Sequence, residues 1–594
     1  MSSLGHQLAT SVLVVGAGGS GLQAAIEVAE AGVAVIAVAK GAADDVHTVD
    51  VHTVMAYGGS DRAPAAADVG DMWEQHAADT LWEGRLLADP RTAQIVARCA
   101  AQGFHDAGRY GTRLDRRGHG GPAERGFGDQ TYRRSVFADE RTGPEVRRAL
   151  RERVRQLAIP VLPSVYVTRL LVDDGTVFGA YGFDVVDGSR YLVHADSVIL
   201  AAGGHTRIWQ RASSRRDENT GDAFRLAVEA GARLRDPELV QFHPFGLIRP
   251  ESAAGMLVSE AARDEGGVLL NNLGERFMTR YDAERMELCS RDTVTSASYT
   301  EIKEGRGTRP GGVWLDLSHL PRETVLSRLP RVHQTLWDLQ MLDITRDPIE
   351  VAPTAQYAMG GVWVRPEDHG TDVNGLFVIG EAASGLHGAS RLEENSLIEL
   401  LVYGRIAGRA AAEYSAGLSA LRRSPAAVRA AEADVDRLLA ADGDQDVRAL
   451  LRSVRHLMTE RAGVVRDEMG LAAGLVELDE IEARMGDMGV HIDIGGFPDL
   501  AYAYTLRSAV LAARATLECA LERRETRGCH NRSDYPDADP DLTVNLVWSP
   551  TTGVRREPVP PIPTAIAELM HGVSADVRSL EREPARRAPL SERD

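Results

Sequence analysis

The run "SVLVVGAGGSGLQAAIEVAEAG", residues 11–32, constrains this chain more than any other stretch. A short β-rich run meets glycines at 16, 18 and 21, and then comes helical spacing closed by Gly32. "VAVIAVAK", residues 33–40, follows as a second buried strand. Strand, glycine turn, helix and strand make a βαβ unit. In that setting Gly16 permits the tight turn, Gly18 lets the backbone approach a pyrophosphate, and Gly21 lets the helix pack on the strand. The positive end of the helix then faces the phosphates. The turn predicts a dinucleotide and leaves its identity open. A site for NAD expects an acid near the end of the second strand, where this chain has Lys40. By itself that cation hints at NADPH, whose 2′-phosphate needs one.

At 594 residues the chain has room for about three or four domains. Its net charge of −19 argues against nucleic acid and against a polybasic membrane surface. Lys40 and Lys303 are the only lysines, so the basic charge is almost all arginine. Cys99, Cys289, Cys519 and Cys529 form no metal spacing and read as free thiols of a reducing compartment. The start lacks a signal peptide's basic region and cleavage site, and no apolar run reaches the roughly 18 residues of a membrane span. The expectation is a cytoplasmic protein whose membrane contact, at the inner face, comes only through a partner.

Further along, "SVILAAGG" (197–204) and "NGLFVIGEAA" (374–383) are buried strands with glycine turns, far from the first strand. Residues 247–349 turn mixed and polar, as in an inserted cap, and 406–530 carry Ala, Arg, Leu and Glu at helical period. After about Pro550 the Pro-rich, alternating-charge sequence makes a poor core and is expected to end disordered.

Ten motifs occur in one order: "VLVVGAGGSG", "HTVMAYGG", "ILAAGG", "NTGDAF", "QFHPFG", "LVSEAARDEGGVLLNNLGERFM", "SRDTV", "YAMGG", "GLFVIGEAASGLHGASRL" and "NSL". Together they resemble the flavoprotein subunit of succinate dehydrogenase and fumarate reductase, a family that also includes L-aspartate oxidase. The resemblance covers nearly the whole chain, with "TRGCHNRSDYPDADPDLTVNLVW" matching the family's C-terminal segment. It implies FAD in place of NADPH, since the family also carries lysine where Lys40 stands. It places the pyrophosphate along Gly16, Ala17, Gly18, Gly19, Ser20 and Gly21, and the adenine near Ala202 and Gly203. Further cofactor contacts fall on Lys40, Thr53, Gly58, Gly59, Asp222, Glu381, Arg391, Ser396 and Leu397. The implied fold class is α/β, a Rossmann-like FAD-binding domain with an inserted capping domain, followed by a C-terminal helical domain. The expected spans are 10–246 and 350–405 for the FAD-binding domain and 247–349 for the cap. Residues 406–530 form the helical domain, and 531–594 the C-terminal segment and tail.

Hydride transfer at a C–C bond needs a flat cofactor, a clamp for anionic groups and a proton donor on the opposite face. The motifs supply His243, Ser259, Gln356 and Arg391 as the clamp, with Arg391 gripping one carboxylate through its planar fork. The resemblance implies Arg291 as the acid. Glu260 and Arg263, three residues apart, would share one side of a helical turn and complete an Arg–Glu–Arg relay. It also implies a covalent link from FAD to a histidine. "HTVMAYGG" fits that pattern at His52, although the usual distance from Lys40 selects His47, seven residues on. The glycine pair is expected beside the flavin ring, which makes its spacing the better guide and favours His52.

Five departures cluster in the motifs near the substrate. Phe245 replaces a threonine and is expected to add an apolar wall; Gln356 replaces a histidine; Glu393 and Glu394 replace a glycine pair; Asp129 and Asp264 replace glycines. They point to an altered substrate or a weakened version of the family activity. The primary expectation is an FAD-dependent oxidoreductase that interconverts a succinate-like dicarboxylate and its fumarate-like alkene. One rival is an L-aspartate oxidase, against which Phe127 counts, and another is a specialised biosynthetic desaturase acting on an amino- or otherwise modified acid. A rival of another class is an electron-transfer protein working only when docked to an iron–sulfur subunit, because the chain has no cluster ligands of its own.

Overall fold

The computed structural model describes residues 5–41, 60–61, 71–116, 123–125, 130–132, 134–138 and 141–570. His47, His52, Thr53, Gly58, Gly59, Phe127 and Asp129 lie outside the described residues.

The first strand, His6–Val15, pairs in parallel with Val35–Val38 on one side and Arg190–Leu200 on the other. Where that strand is flanked on both sides and covered on both faces it must be apolar, which holds for its second half. Val12 to Val15 are accordingly all buried. Leu376–Val378 adds a further parallel partner to the far edge of Arg190–Leu200, so a stretch far downstream re-enters the sheet. Thr176–Asp184 and Val165–Asp173 complete it as an antiparallel extension. The helix Gly19–Glu30 is covered by the long helix Asn395–Gly417. Gly404 and Gly408 let these two backbones approach: a Cβ at Gly408 would stand 2.8 Å from the Ala24 carbonyl oxygen.

The cap is built on a second, antiparallel sheet, in the order Val240–Leu247, Ile349–Ala358, Val313–Asp316, Val268–Leu270. Its first two strands carry the chain into and out of the cap, so residues near both crossings sit beside the cofactor domain. The cap has its own core, including Leu247, Leu269, Phe277, Val294, Leu315 and Val351.

Four helices, Pro425–Leu439, Val447–Arg461, Glu468–Arg484 and Pro498–Glu522, make up the helical part. The fully buried Arg523 ties it to the cofactor domain through Asp236 at 3.0 Å and Glu238 at 2.7 Å. Past Pro550 the expectation of a poor core is corrected as far as residue 570. Gly553–Pro558 pairs with Val544–Ser549, and Ile566 and Met570 bury against Ala77, Leu81 and Ala93. Their spacing of four puts both on one side of a helical turn, which borrows an existing core instead of forming one. Among the described residues no helix is long and apolar enough to cross a membrane.

Candidate active site

One cavity of about 1030 Å³ runs from the first glycine turn to the cap. That exceeds the range of about 300–1,000 Å³ for ordinary small-molecule pockets, as a dinucleotide beside a small acid requires. At one end it is lined by Gly16 to Ser20, Val38 to Lys40 and Ala201 to Gly203. Gly16 has φ +111°, and a Cβ there would lie 2.2 Å from the Ala201 carbonyl oxygen. Gly18 opens onto free space, with no atom within 4 Å of where a Cβ would be. Gly21 does not line the cavity; its absent Cβ would lie 1.9 Å from the Gly16 carbonyl oxygen. Gly16 and Gly21 are thus required by close approaches at the turn, Gly18 leaves open space in front of it, and the cradle fits the pyrophosphate of FAD. Gly21→Ala should force helix and strand apart and purify with most of its flavin lost. Full flavin occupancy in that variant would show that the turn has slack.

Lys40 lines the same end, but its Nζ donates to Asp222 Oδ2 at 2.9 Å and to Thr220 Oγ1 at 3.3 Å. Its charge is thus already matched within the fold, which removes the hint of a 2′-phosphate. Asp222 also accepts from Tyr166 and Ser508, each at 2.7 Å. Burial would raise its carboxyl, but Lys40, Arg225 and these donors outweigh that and hold it well below the usual carboxylate range. Glu381, Ser396 and Leu397 line the middle of the cavity, and Glu381 is fixed by Asn219 Nδ2 at 2.9 Å and the Ala358 amide at 3.0 Å.

The cap end gathers His243, Ser259, Glu260, Arg291, Gln356, Arg391 and Glu393. Arg291 opens the helix Arg291–Lys303, where Ser290 Oγ caps the Thr293 amide at 3.3 Å and fixes the direction of the first turn. Its guanidinium donates to Glu260 twice, Nε to Oε1 at 2.7 Å and Nη2 to Oε2 at 3.2 Å. Arg263 Nη2 reaches the same carboxylate at 3.0 Å, while its Nη1 is anchored on the carbonyls of Glu287 and Cys289. Arg263 does not line the cavity; its link to it is the bond to Glu260. Burial alone would raise Glu260; Arg291 and Arg263 overcome it and keep the carboxyl ionised. Burial would also lower Arg291, yet Glu260 and Glu393 raise it above the ordinary arginine range.

His243 is pushed down to about 3 by burial, against the pull of Glu260, so the imidazole is neutral. Its Nδ1 accepts from the Phe245 amide at 3.1 Å, which places the proton on Nε2, the nitrogen 3.4 Å from Glu260 Oε1. Arg391 is buried over the ring of Tyr357, 5.2 Å from its centroid, and Tyr357 is held by Glu399 at 3.0 Å. Ser259 Oγ accepts from the Ala261 amide at 3.3 Å, just ahead of the short helix Ala261–Asp264. Gln356 occupies a bulge in Ile349–Ala358, since Gln241 pairs with Tyr357 and Phe242 with Ala355. Such a bulge re-aims a side chain. Its Oε1 is buried with no partner, and turning the amide over presents the NH₂ donors to an anion.

Two features of the site differ from the sequence expectation. Phe245 is not a wall of the pocket; it is fully buried in the cap core with Val258 and Leu269. Its ring packs edge-on against the His243 imidazole, 5.7 Å between centroids, and so stands behind that side chain instead of facing the cavity. Gln241, given no role from sequence, accepts from Arg291 Nη1 at 3.1 Å and Arg391 Nε at 3.2 Å, and so holds two cations together. The signal was its place two residues before His243 on the same strand. Among the described residues no group of His, Cys, Asp and Glu could hold a metal ion.

Comparison with known proteins agrees with this layout. Residues 11–397 match the FAD binding domain model, and residues 451–560 match the model for the fumarate reductase flavoprotein C-terminus. The chain is 40% identical to a subunit of the CoM/CoB fumarate reductase of Methanothermobacter marburgensis, over 90% of this chain and 96% of that one. It is 34% identical to the Rickettsia bellii succinate dehydrogenase flavoprotein subunit, over 89% and 90%. The solved Mycobacterium smegmatis Sdh1 complex in the apo form superposes with a TM-score of 0.87 at 33% identity, covering 98% of this chain and all of that one. A cofactor cradle open to a clamp of arginines, on a chain matched almost end to end, places this protein in the succinate dehydrogenase/fumarate reductase flavoprotein family, as an FAD-dependent oxidoreductase.

Proposed function

We propose that the chain interconverts a succinate-like dicarboxylate and its fumarate-like alkene. The observation that carries this reading is the convergence of Arg391, His243, Ser259, Arg291 and Glu260 on the same cavity as the glycine turn, with Arg263 behind Glu260. Bound FAD supplies the two-electron hydride exchange with the substrate carbon. The residues of the chain do the rest. Arg391 grips one carboxylate with its fork, and the second receives the Nε2 proton of His243 and the Ser259 hydroxyl. Arg291 moves the proton. Nη1 donates one hydrogen bond to Gln241 and would pass its other proton to the substrate carbon, after which Arg263 re-protonates Arg291 through Glu260 and regains its own proton from solvent. Purified holoprotein mixed anaerobically with succinate, fumarate, aspartate and their substituted analogues tests this reading. Succinate or a close analogue should bleach the flavin. Bleaching by aspartate alone would overturn the assignment in favour of an amino-acid oxidase.

The cofactor attachment belongs to the same reading. His52 is expected to carry FAD covalently, so acid precipitation should leave the flavin on the protein. His52→Ala should release it and His47→Ala should not. Flavin recovered wholly in the supernatant of the wild type would remove the link, and release by His47→Ala alone would move it. The electron partner is proposed to be an iron–sulfur subunit, through which the chain would lie peripheral to a membrane. The fumarate reductase and succinate dehydrogenase chains it resembles are themselves named as subunits.

A further inference from the structure

The cavity contains a carboxyl group that the relay does not use. Glu393 lines the cap end, with Oε1 3.4 Å from Arg291 Nη2, the nitrogen that also donates to Glu260, while Nη1 donates to Gln241. Arg291 is therefore shared by two acids, Glu260 and Glu393. The backbone around Glu393 is held in place as well. The Glu393 carbonyl accepts from Gln130 Nε2 at 3.3 Å, and Glu394 takes φ +70° to start the helix Asn395–Gly417.

We propose that Glu393 makes dicarboxylate binding proton-coupled: the cavity takes up a dianion together with one proton, which resides on the Glu393 carboxyl. This rests on the substrate reading above and adds a determinant of affinity to it.

The argument is one of charge and distance. The positive groups around Glu393 are Arg291, Arg263 and Arg391, and Glu260 is the negative one that acts on it, with neutral His243 beyond Glu260. The same arginines also face Glu394 near Arg391, Asp292 beside Arg291, and Asp264, which lines the same cavity next to Arg263. A dianion arriving on Arg391 and His243 adds two negative charges to the cavity that Glu393 lines. One of the acids must then become neutral. Glu260 is held ionised by close bonds to two arginines. Glu393 has one looser contact, and burial together with Glu260 holds it at about 7 against the pull of Arg291, Arg263 and Arg391. Asp264, which lines the same cavity, is raised by burial only to about 6, so Glu393 is the acid that protonates at least cost. The balance is simple: ionised Glu393, a dianion and one solvent proton give a complex with neutral Glu393, and no electrons move. By linkage, affinity then falls as pH rises above about 7, toward tenfold per pH unit.

Malonate is a suitable probe, because it is a dicarboxylate with no CH₂–CH₂ bond to oxidise. Titration calorimetry of the oxidised holoprotein near pH 8, in two buffers of different ionisation enthalpy, counts the protons taken up. The wild type should take up close to one proton per malonate, and its affinity should weaken several-fold from pH 7 to 8 and further by pH 9. E393Q and E393G, each checked for retained flavin, should take up almost none and show a nearly flat affinity over that range. Malonate binding by the wild type without proton uptake overturns this inference alone. Equal uptake in the flavin-loaded variants also overturns it, by assigning the proton to another group. Failure of malonate to bind the wild type would remove the substrate reading itself, and this inference with it.

Discussion

Arg291→Ala is expected to fold and keep its FAD, yet to lose on the order of a thousandfold or more in kcat. Proton transfer by a positioned group contributes about 10²–10⁴, and the lost positive charge beside the developing carbanion adds to it. Arginine is a poor acid in isolation, and here Glu260 and Glu393 make it weaker still at rest. It can act only if the proton is replaced as it leaves. The 2.7 Å bond to an ionised Glu260, itself 3.0 Å from Arg263, provides that replacement. Arg291→Lys should recover only part of the loss, because a lysine ammonium cannot bond Glu260 and Gln241 at once in the fork geometry. Steady-state rates with flavin content measured on the same samples check this. Near-normal turnover in either variant removes Arg291 from the chemistry.

The second large effect is expected at Arg391. Arg391→Ala should lower kcat/KM by about 10²–10⁴, because it deletes two charge-assisted bonds to a carboxylate at about 1.5–3 kcal/mol each. The loss should appear mainly in KM, since Arg391 binds the acid and does not carry the proton. Reduction of the bound flavin by dithionite should be unchanged, which separates a clamp from a cofactor contact. Arg391→Lys should restore charge without the fork and recover a minority of the affinity. A variant with normal KM would show that the anion is held elsewhere, with Gln356 and His243 the groups left to test.

The glycine turn and the clamp were legible in sequence for a local reason. Gly16 and Gly21 answer to close approaches at the turn, Gly18 leaves open space in front of it, and the motifs around His243, Glu260, Arg291 and Arg391 are short and ordered. What depended on distance along the chain was not legible. Lys40 reads as a phosphate ligand until Asp222, 182 residues away, is found 2.9 Å from it. Gln241 shows its role only when Arg391, 150 residues on, closes against it. Phe245 was misplaced because its motif fixes only its distance from His243, whereas the turn of its ring into the cap core with Val258 and Leu269 is set by tertiary packing. Whether Glu393 faced the cavity or solvent likewise depended on the loop before the helix Asn395–Gly417, where Glu394 takes a left-handed backbone.

The central claim is that this cavity moves a hydride and a proton onto one dicarboxylate, with Arg291 supplying the proton. The most direct measurement is a single turnover: holoprotein reduced anaerobically, freed of reductant and mixed with fumarate, with flavin oxidation and succinate followed together. The account predicts that wild-type flavin re-oxidises with one succinate formed per flavin, and that Arg291→Ala binds fumarate but stays reduced. Wild-type flavin that remains reduced in saturating fumarate, or an Arg291→Ala protein that re-oxidises at the wild-type rate, would contradict it.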